Sequence, residues 1–545
     1  MKARSFITLL LVAFILISCE APKESSDMIV HNAVIYTVDG DFSVVEAFAI
    51  KDGLILETGT SKHILEKYEA QEVMDAKGLF IYPGFIDAHT HFYRYGLGLK
   101  VADLTGAKSE AEMIERVQQH RTNTPDQAWI LGRGWDQNLW EGQHFPSKST
   151  LDSLYPDIPV LLTRIDGHAA LANSKALAMG GITPKETILG GKVITQNGKM
   201  TGVLIDNAID LVSANIPDVS ESDAREALLA AQKNCFEVGL TTVADAGLDK
   251  ETILLIEQMQ KEEELMMRVY AMINPSPENK EYFFEKGPYQ NESLTVRSFK
   301  VYGDGALGSR GASLLRPYHD APEESGFLLD QPEHFLALAE ELNEKGFQMN
   351  THCIGDSANR TLLNIYGKVL LGENDKRWRI EHAQVIHPMD IEKFAKFNII
   401  PSVQPTHATS DMGWAADRLG EDRVKHAYTY QLLEQQNDML ALGSDFPVED
   451  INPLYGYHAA VARTDGNNKP EGGFQPENKL SRQSALKGMT IWAAYANFEE
   501  PLKGSIEKGK LADFVVMERD LMTAPETILR ELKIQATYIG GQKVY

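Results

Sequence analysis

The stretch Pro83-Gly84-Phe85-Ile86-Asp87-Ala88-His89-Thr90-His91 joins a short apolar segment to two histidines at its end. In an extended backbone, residues two apart point to the same side, so His89 and His91 are able to reach one cation together. Imidazole nitrogen is a good ligand for zinc and similar divalent metals. An H-x-H pattern alone is weak evidence for a metal site. Its value depends on whether other possible ligands lie at the ends of neighbouring strands.

The chain contains eight short apolar segments that suit β-strands, and most are separated by stretches long enough to form helices. The predicted strands are Phe80–His89, Thr241–Ala246, Arg268–Ile273, Ser298–Gly303, Gln348–Cys353, Trp378–His382, Ile399–Gln404 and Met439–Ser444. Strands that alternate with helices predict an α/β fold, here a (β/α)₈ TIM-like barrel. A doubly wound open sheet is the alternative, although no G-x-G-x-x-G follows an early strand.

Four more polar residues fall at the same ends of later predicted strands. Lys300 lies in the fourth strand, His352 in the fifth, His382 at the end of the sixth, and Asp445 just after the eighth. The carboxyl ends of barrel strands converge on one face, which is where active sites of such barrels lie. The sequence therefore predicts a metal site on that face of the barrel.

The two ends of the chain have a different character from its middle. Residues 28–82 and 501–545 contain short strand patterns broken by turn dipeptides such as Asp39-Gly40 and Gly540-Gly541. They predict a small β-sandwich domain built from both chain ends. The barrel is assigned to residues 83–500, with an insertion at about 95–237 that holds further strand candidates, namely Trp129–Asp136, Pro159–His168 and Gly202–Asp206.

The composition excludes several other classes of protein. With 43% hydrophobic and 24% charged residues among 545, the chain is neither disordered nor fibrous. Its 53 basic and 77 acidic residues give a formal charge of −24, which argues against a nucleic-acid-binding surface. Three cysteines cannot form a disulfide framework, and Cys235 and Cys353 are expected to be free, buried thiols. The composition leaves a homodimer open.

The N-terminus has the pattern of a targeting segment. Lys2 and Arg4 precede an apolar run too short to span a membrane, and Leu16-Ile17-Ser18-Cys19 resembles the lipobox of bacterial lipoproteins. The resemblance implies a signal peptide at residues 1–18, lipidation at Cys19 and a polar tether at residues 19–27. It places the protein in the cell envelope, held to a membrane outside the cytoplasm by its lipid anchor only. The alternative is an ordinary secretory signal with an incidental Cys19.

Four stretches of the mature sequence together resemble the amidohydrolase superfamily, in particular its amidohydrolase-3 or YtcJ-like branch. The resemblance covers nearly all of residues 28–545. The stretches are Pro83–His91, the segment Lys300-Val301-Tyr302-Gly303-Asp304-Gly305-Ala306-Leu307-Gly308-Ser309-Arg310, the segment Leu442-Gly443-Ser444-Asp445-Phe446-Pro447, and residues 504–513.

The resemblance implies a metal-bound water that attacks a carbonyl of an amide-type small molecule. It places the metal ligands at His89, His91, Lys300, His352, His382 and Asp445. The metal is expected to be one or two divalent ions, with zinc favoured. Asp445 would take the proton from the water and deliver it to the leaving nitrogen as general base and acid.

Lys300 needs a chemical change to act as a ligand, because an ammonium group has donors and no acceptor. A buried lysine has a depressed pKa, and its neutral amine adds carbon dioxide to give a carboxylated Lys300 that bridges two metals. The alternative is an ammonium paired with Asp304, which would leave a single metal.

Several residues are weaker candidates for the substrate site. The resemblance suggests that His168 approaches the substrate carbonyl, as a catalytic and binding residue, and a loop histidine is the alternative. Trp135 and Asp136 suit a pocket wall, or equally a surface turn. Arg310 suits a substrate carboxylate, or a pairing with Asp304. Glu381 is expected to support a metal ligand from behind.

Two classes of function remain in view. The first is a hydrolase acting on carbon–nitrogen bonds other than peptide bonds, with deamination and cyclic-amide or ester hydrolysis as variants that use similar metal centres. The second is a non-catalytic, lipid-anchored protein that binds a small molecule on a degenerate barrel. A degenerate barrel is expected to have lost ligands, whereas every expected position is filled here.

Overall fold

The computed structural model describes residues 22–185 and 187–545. The predicted signal peptide and Cys19 lie outside these residues, so both remain predictions. Among the helices that the structure describes, none has the length and apolar character needed to cross a membrane.

Eight parallel strands form the centre of the protein, labelled β1 to β8 in chain order. They are Phe85–Thr90 (β1), Leu240–Leu248 (β2), Arg268–Ile273 (β3), Leu294–Tyr302 (β4), Gln348–Cys353 (β5), Arg379–His382 (β6), Ile400–Val403 (β7) and Ala441–Leu442 (β8). Each strand pairs in parallel with the next one. A short strand, Tyr289–Gln290, adds to β4 in the antiparallel sense. The predicted (β/α)₈ barrel is confirmed, and the open doubly wound sheet is wrong.

The barrel closes at a seam between β8 and β1. The backbone N–H of Asp445 donates to the carbonyl oxygen of His89 at 2.8 Å, and that of His91 donates to the carbonyl oxygen of Phe446 at 2.9 Å. Elsewhere the register keeps the carboxyl ends of the strands level, because the end of β4 pairs with His352 in β5. The strand ends that carry the candidate ligands therefore lie on one face.

Helices flank the barrel strands and bury their apolar side chains in one large core. Pro332–Lys345 shows how the sequence sets their limits, since proline occupies its first turn and Gly346 ends it with φ +77°. The barrel helices are Phe92–Gly98, Glu221–Glu237, Lys250–Lys261, Pro277–Lys286, Pro332–Lys345, Asp356–Leu370, Glu392–Lys396, Pro405–Asp411, Ala415–Leu419, Tyr430–Asn437, Pro453–Ala462, Arg482–Gly488 and Ile491–Ala496.

The two chain ends form the predicted β-sandwich. One sheet contains, in spatial order, Leu54–Gly59, Ala47–Lys51, Glu24–His31 and Tyr68–Asp75, and the helix Ser61–Lys67 joins two of its strands. The other contains Gln542–Lys543, Ile534–Ile539, Phe514–Met517, Phe80–Pro83, Val34–Tyr36 and Val44–Val45. Apolar side chains of both sheets, including Val30, Phe48, Ile81 and Phe514, form the core between them.

Two boundaries of this domain differ from the prediction. Residues 24–27, predicted as part of the tether, already belong to the strand Glu24–His31, which pairs in parallel with Tyr68–Asp75. The predicted strand Phe80–His89 is in fact two strands, which divide at Gly84. A Cβ atom on Gly84 would lie 2.3 Å from Oγ1 of Thr241, so only glycine fits where the chain passes from the sandwich into the barrel.

The insertion between β1 and β2 forms a six-stranded sheet. Its strands, in spatial order, are Gly191–Gln196, Lys199–Asp206, Ala169–Ala172, Val160–Arg164, Ile130–Trp135 and Ala102–Asp103. Apolar clusters lie against it, with contributions from the helices Glu110–Asn123, Ser174–Met179 and Asn207–Ser213. A shorter helix, Ser149–Leu154, precedes the strand Val160–Arg164.

The predicted limits of the insertion, 95–237, are too wide. The helix Glu221–Glu237 buries Leu228, Ala231 and Cys235 in the barrel core together with Phe92. This helix therefore belongs to the barrel and leads into β2. The sequence analysis did not identify this helix, and helical periodicity carries no information on which core such a helix covers.

Candidate metal centre

His89 and His91 lie at the seam of the barrel and face Asp445. Their Nε2 atoms are 3.5 Å and 3.3 Å from Oδ1 of Asp445. The Nδ1 atom of His89 lies 2.6 Å from Oε2 of Glu381, and that of His91 lies 3.0 Å from the carbonyl oxygen of Ala246. Because these oxygens accept hydrogen bonds, we assign the proton to Nδ1 in both rings. Each Nε2 lone pair is therefore directed at the centre.

Lys300 is 1% exposed, and its Nζ lies 2.9 Å from Nε2 of His89. The predicted alternative, an ion pair with Asp304, does not form. The carboxylate of Asp304 instead accepts three backbone N–H groups from the loops after β4 and β5, at 2.8–2.9 Å. Burial still raises the pKa of Asp304 to about 7. Lys300 thus lies at the centre with a histidine, and not an acid, as its contact.

His352 is the second-to-last residue of β5 and His382 is the last residue of β6, and their ring centroids are 4.5 Å apart. Nδ1 of His382 contacts Oε1 of Gln404 at 2.7 Å, which leaves its Nε2 for the centre. Nε2 of His352 instead lies 3.4 Å from the carbonyl oxygen of Gly305. Burial lowers the pKa of both imidazoles well below the usual value, so both are neutral, which is the form that binds a cation.

The sequence analysis missed His407, which the structure brings into the same centre. His407 lies in the helix Pro405–Asp411 just after β7, with Nε2 3.4 Å from Oδ2 of Asp445 and Nδ1 3.1 Å from Oε1 of Glu449. Burial opposes its charged form, but the two carboxylates outweigh burial and raise the pKa of His407 to about 10. Its place directly after the seventh strand was the signal that could have identified it.

Asp445 connects two groups of side chains whose ligand atoms lie within 4.8 Å of one another. One group is His89, His91 and Asp445, and the other is His382, His407 and Asp445. Oδ1 of Asp445 is buried without a hydrogen-bond partner. Burial favours the neutral acid, yet the hydrogen bond from His407 and the neighbouring imidazoles hold the pKa of Asp445 well below its usual value. A buried carboxylate with an unused oxygen among imidazoles fits a divalent metal.

The backbone at the centre is strained. His382 and Asp445 have φ values of +70° and +63°, in the left-handed region that side chains with a Cβ rarely adopt. Residues held in such conformations cluster at active and binding sites, because the surrounding structure must stabilise them. The strain lies at two of the residues that the sequence had marked as ligands.

The side chain of Glu381 orients His89 by accepting a hydrogen bond from the ring nitrogen that faces away from the centre. Its Oε2 accepts from His89, while its Oε1 lies 3.8 Å from Nη1 of Arg379. Both side chains are fully buried. This carboxylate–histidine arrangement fixes the orientation of the ring and raises the basicity of its free nitrogen.

His168 is the contribution of the insertion to the site. Its ring centroid lies 4.8 Å from that of His352 and 6.4 Å from that of Tyr302. Nδ1 of His168 contacts Oδ1 of Asp206 at 2.6 Å. Burial opposes protonation, but the charge of Asp206 outweighs it and raises the pKa of His168. Asp206 thereby orients the ring and leaves Nε2 for the cavity that His168 lines.

A cavity of about 810 Å³ opens above the centre, which is a typical volume for a small-molecule site. The barrel supplies one part of its lining and the insertion supplies the other. The barrel residues include His91, Lys300, His352, His382, His407 and Asp445, and the insertion residues include Arg133, Asp136, Arg164 and His168.

Two of the predicted substrate residues lie elsewhere. Trp135 is fully buried in the core of the insertion, where its indole N–H donates to the carbonyl oxygen of Leu162 at 2.7 Å. Arg310 pairs with Asp320, with Nη2 2.7 Å from Oδ2, and it is not part of the cavity lining. Asp304 is therefore not the partner of Arg310, and Arg310 does not face the cavity in which a substrate would bind. Asp136 does line the cavity, as expected.

The two cysteines that the structure describes are free and buried, as predicted. Cys353 follows His352 in β5, but its side chain packs in the barrel core. Cys235 packs in the same core. Neither thiol belongs to the candidate metal groups.

A parallel barrel whose carboxyl face holds histidines, an aspartate and a buried lysine around one cavity defines the class of metal-dependent hydrolases that act on small molecules. Residues 72–545 match the Amidohydrolase family, and the chain belongs to that family. It is therefore a metal-dependent amidohydrolase.

The relatives agree with this assignment. The chain is 33% identical to YtcJ of Bacillus subtilis over 526 residues, 94% of this chain and 98% of that protein, which confirms the YtcJ-like branch. It is 26% identical to the N-substituted formamide deformylase of Arthrobacter pascens over 94% of this chain and 97% of that enzyme. The crystal structure of an uncharacterized metal-dependent hydrolase from Pyrococcus horikoshii superimposes with a TM-score of 0.75 at 27% identity, covering 92% of this chain and 99% of that one.

Proposed function

We propose that the protein hydrolyses a carbon–nitrogen bond of a small amide-type molecule, with Asp445 as general base and then general acid. The observation that carries this proposal is the carboxylate of Asp445. It is buried between the two ligand groups, it is held ionised, and its Oδ1 has no hydrogen-bond partner. An ionised carboxylate in this position is able to accept a proton from water and deliver it to a leaving nitrogen. The relation to the formamide deformylase supports an amide-type substrate.

We further propose that the metal is zinc, at one or two positions. A bound divalent cation supplies Lewis acidity and lowers the pKa of water toward neutrality. The residues that would hold it are His89, His91 and Asp445, together with His382 and a modified Lys300. Neutral imidazoles and a carboxylate are typical zinc ligands.

The proposed modification of Lys300 is a carbamate. The neutral amine forms a bond to the carbon of carbon dioxide and loses one proton to water, which leaves one negative charge shared by the two carbamate oxygens. In the unmodified form, the Nζ contact at 2.9 Å uses the Nε2 lone pair of His89 that a cation would need. Carbamate formation removes that competition and adds two ligand atoms. The buried position of Lys300 without an ion-pair partner in the described chain supports this chemistry.

We assign the substrate carbonyl to the side of the cavity that His168 lines. Asp206 holds Nδ1 of His168, so Nε2 is the atom that would donate to the carbonyl oxygen as charge develops there. In this arrangement Asp445 and His168 act on different atoms of the substrate, Asp445 on the water and leaving group and His168 on the oxygen.

The test of the function is metal analysis combined with a screen of small amides, cyclic amides, esters and amino-substituted heterocycles. We expect stoichiometric zinc and turnover of at least one amide. Asp445→Asn keeps the shape of the side chain but is a poor base, so turnover falls about 10²–10⁴-fold. Asp422→Asn is the matched control, because Asp422 is 98% exposed.

Two results would contradict this function. A fully metallated Asp445→Asn enzyme within tenfold of the wild type would remove Asp445 from the proposed role. Turnover only of esters or amino heterocycles would replace the amide substrate with another of the variants, while the metal centre would stand.

We also propose that the chain is held to a membrane outside the cytoplasm through a lipid on Cys19. The support is the Leu16-Ile17-Ser18-Cys19 sequence, which precedes the first described strand by only a few residues. Two or three acyl chains bind a membrane far more firmly than one. The β-sandwich would then lie next to the membrane surface.

A further inference from the structure

Arg133 is a cavity residue that the proposed chemistry does not use. It lies in the strand Ile130–Trp135 of the insertion, and its Nη2 donates to the carbonyl oxygen of Ile165 at 3.0 Å. A Cβ atom on Gly167 would lie 3.6 Å and 3.7 Å from the two Nη atoms, so the guanidinium packs on the loop that carries His168. Arg133 is thereby fixed in the wall of the same cavity that holds the metal centre.

No acid forms an ion pair with this guanidinium within the part of the chain that the structure describes. Asp136 and Asp166, two acids of the same cavity wall, both pair with Arg164. Asp103 is the register partner of Arg133 on the neighbouring strand, but its Oδ1 accepts from a backbone N–H two residues later. No ion pair within 4 Å involves Arg133 in the described residues, and its Nε is buried without a partner.

The surroundings of Arg133 favour a negative charge at this point. Burial, together with repulsion from Arg94, lowers the pKa of Arg133, although the more distant charges of Asp445 and Asp166 partly oppose this shift. A chain with 77 acidic and 53 basic residues has acids in excess, so an arginine left unpaired in a cavity wall is unusual. Buried charges in proteins are normally paired or bound to a ligand.

We propose that Arg133 binds a carboxylate of the substrate, so the substrates are anionic amides. This inference rests on the proposed function and specifies its substrate class. The planar guanidinium presents parallel N–H donors that match the two oxygens of a carboxylate. Among the described residues Nη1 has no acceptor, and Nη2 uses only one of its two N–H groups, so these two nitrogens are able to hold a carboxylate together. The role first considered for Arg310 thus belongs to an arginine of the insertion.

The experiment compares matched pairs of amides in the zinc-loaded enzyme. Each anionic probe is paired with a neutral one of similar shape, for example an N-acylglycine with the N-acylisobutylamine, in which an isopropyl group replaces the carboxylate. N-acyl derivatives of β-alanine and of 4-aminobutyrate, and N-alkylsuccinamates, place the carboxylate at other distances and on the acyl side. The value measured is the ratio of kcat/KM for the anionic probe to that for the neutral probe.

We expect at least one pair to favour the anionic amide about tenfold or more, with the difference mainly in KM. Arg133→Gln lowers that ratio at least about tenfold, and Arg133→Lys keeps part of it because it keeps the charge without the fork. Arg519→Gln, at an exposed position of the β-sandwich, is the matched control and keeps the ratio. Circular dichroism and thermal melts show whether each variant is folded.

The inference is overturned if neutral amides are used equally well in every pair, or if the anionic preference survives in folded Arg133→Gln. If no amide is turned over, the proposed function fails, and calorimetric binding of the same anionic probes decides the inference separately. Binding that is lost in Arg133→Gln and retained in Arg519→Gln supports it. Equal binding to both variants, or no binding to the wild type, refutes it.

Discussion

Removal of the carboxylate of Glu381 is expected to weaken metal binding without touching a ligand. Oε2 of Glu381 accepts the Nδ1 proton of His89 at 2.6 Å, and both side chains are fully buried. In Glu381→Ala this N–H loses its acceptor at a fully buried position. An unsatisfied buried donor costs about 1–3 kcal/mol, and loss of such a partner typically weakens metal affinity about 10–100-fold.

Glu381→Gln separates the two contributions of the carboxylate. Its amide oxygen still accepts from His89, so the tautomer and the ring orientation are kept, while the negative charge is lost. We therefore expect a loss of metal affinity smaller than that of Glu381→Ala. The alanine variant also leaves Arg379 buried beside an empty position, so its free energy of unfolding falls as well.

The assay is competition for zinc against a chelator of known affinity, with unfolding by urea measured in parallel on the metal-free chains. Glu392→Ala is the control, since Glu392 is exposed at the start of the helix after β6. Metal affinity of folded Glu381→Ala within threefold of the wild type would refute the reasoning. An equal loss of metal affinity in the glutamine and alanine variants would also refute it. The hydrogen-bond acceptor that Glu381→Gln retains would then have no effect on metal binding.

Three further changes test the centre and its location. Lys300→Ala should lower zinc content and turnover together, and a short carboxylic acid such as propionate should partly restore both; an active enzyme with an unmodified amine on Lys300 would contradict the carbamate. His407→Ala removes the contact to Oδ2 of Asp445 and should lower turnover at least about tenfold at full metal loading, whereas unchanged turnover would make His407 structural. Cys19→Ala should release soluble or unprocessed protein in membrane fractionation, and unchanged fractionation would rule out the anchor.

Much of the barrel and most of the centre follow from local sequence. Strand segments of the right length recur between helix-length periods, and polar residues stand at their ends. His89, His91, His382 and Asp445 could be identified because each follows directly from an apolar strand, and parallel strands must bring these ends together. The positions therefore depend on chain geometry that short stretches of sequence encode.

The remaining site residues depend on contacts between distant segments. The proposed role of Arg133 could be inferred only from the structure, in which Arg164 forms ion pairs with both Asp136 and Asp166. Arg310 could not be assigned because its partner, Asp320, lies in the same irregular loop, and nothing in the sequence distinguishes Asp320 from Asp304. Ion pairing is decided by side-chain positions within a few ångströms, which periodicity does not contain.

The extent of the insertion was misjudged for a related reason. Its strands were visible as apolar runs, but Glu221–Glu237 is an amphipathic helix that any neighbouring core would accept. Only the contacts with Phe92 and the barrel core assign it to the barrel. Domain boundaries inside a continuous run of helices and strands are thus poorly determined by local pattern.

A metal bound at the seam between β8 and β1 would also stabilise the closed barrel. The segments joined there by backbone hydrogen bonds come from the first and last strands of the barrel, and they also carry His89, His91 and Asp445. A cation bound by all three is a cross-link between the two edges of the sheet. Because the open sheet cannot offer these ligands together, each tenfold rise in free metal above the dissociation constant adds about 1.4 kcal/mol to closure. A cation bound at this point would therefore stabilise the closed barrel wall in the same event that supplies the catalytic metal.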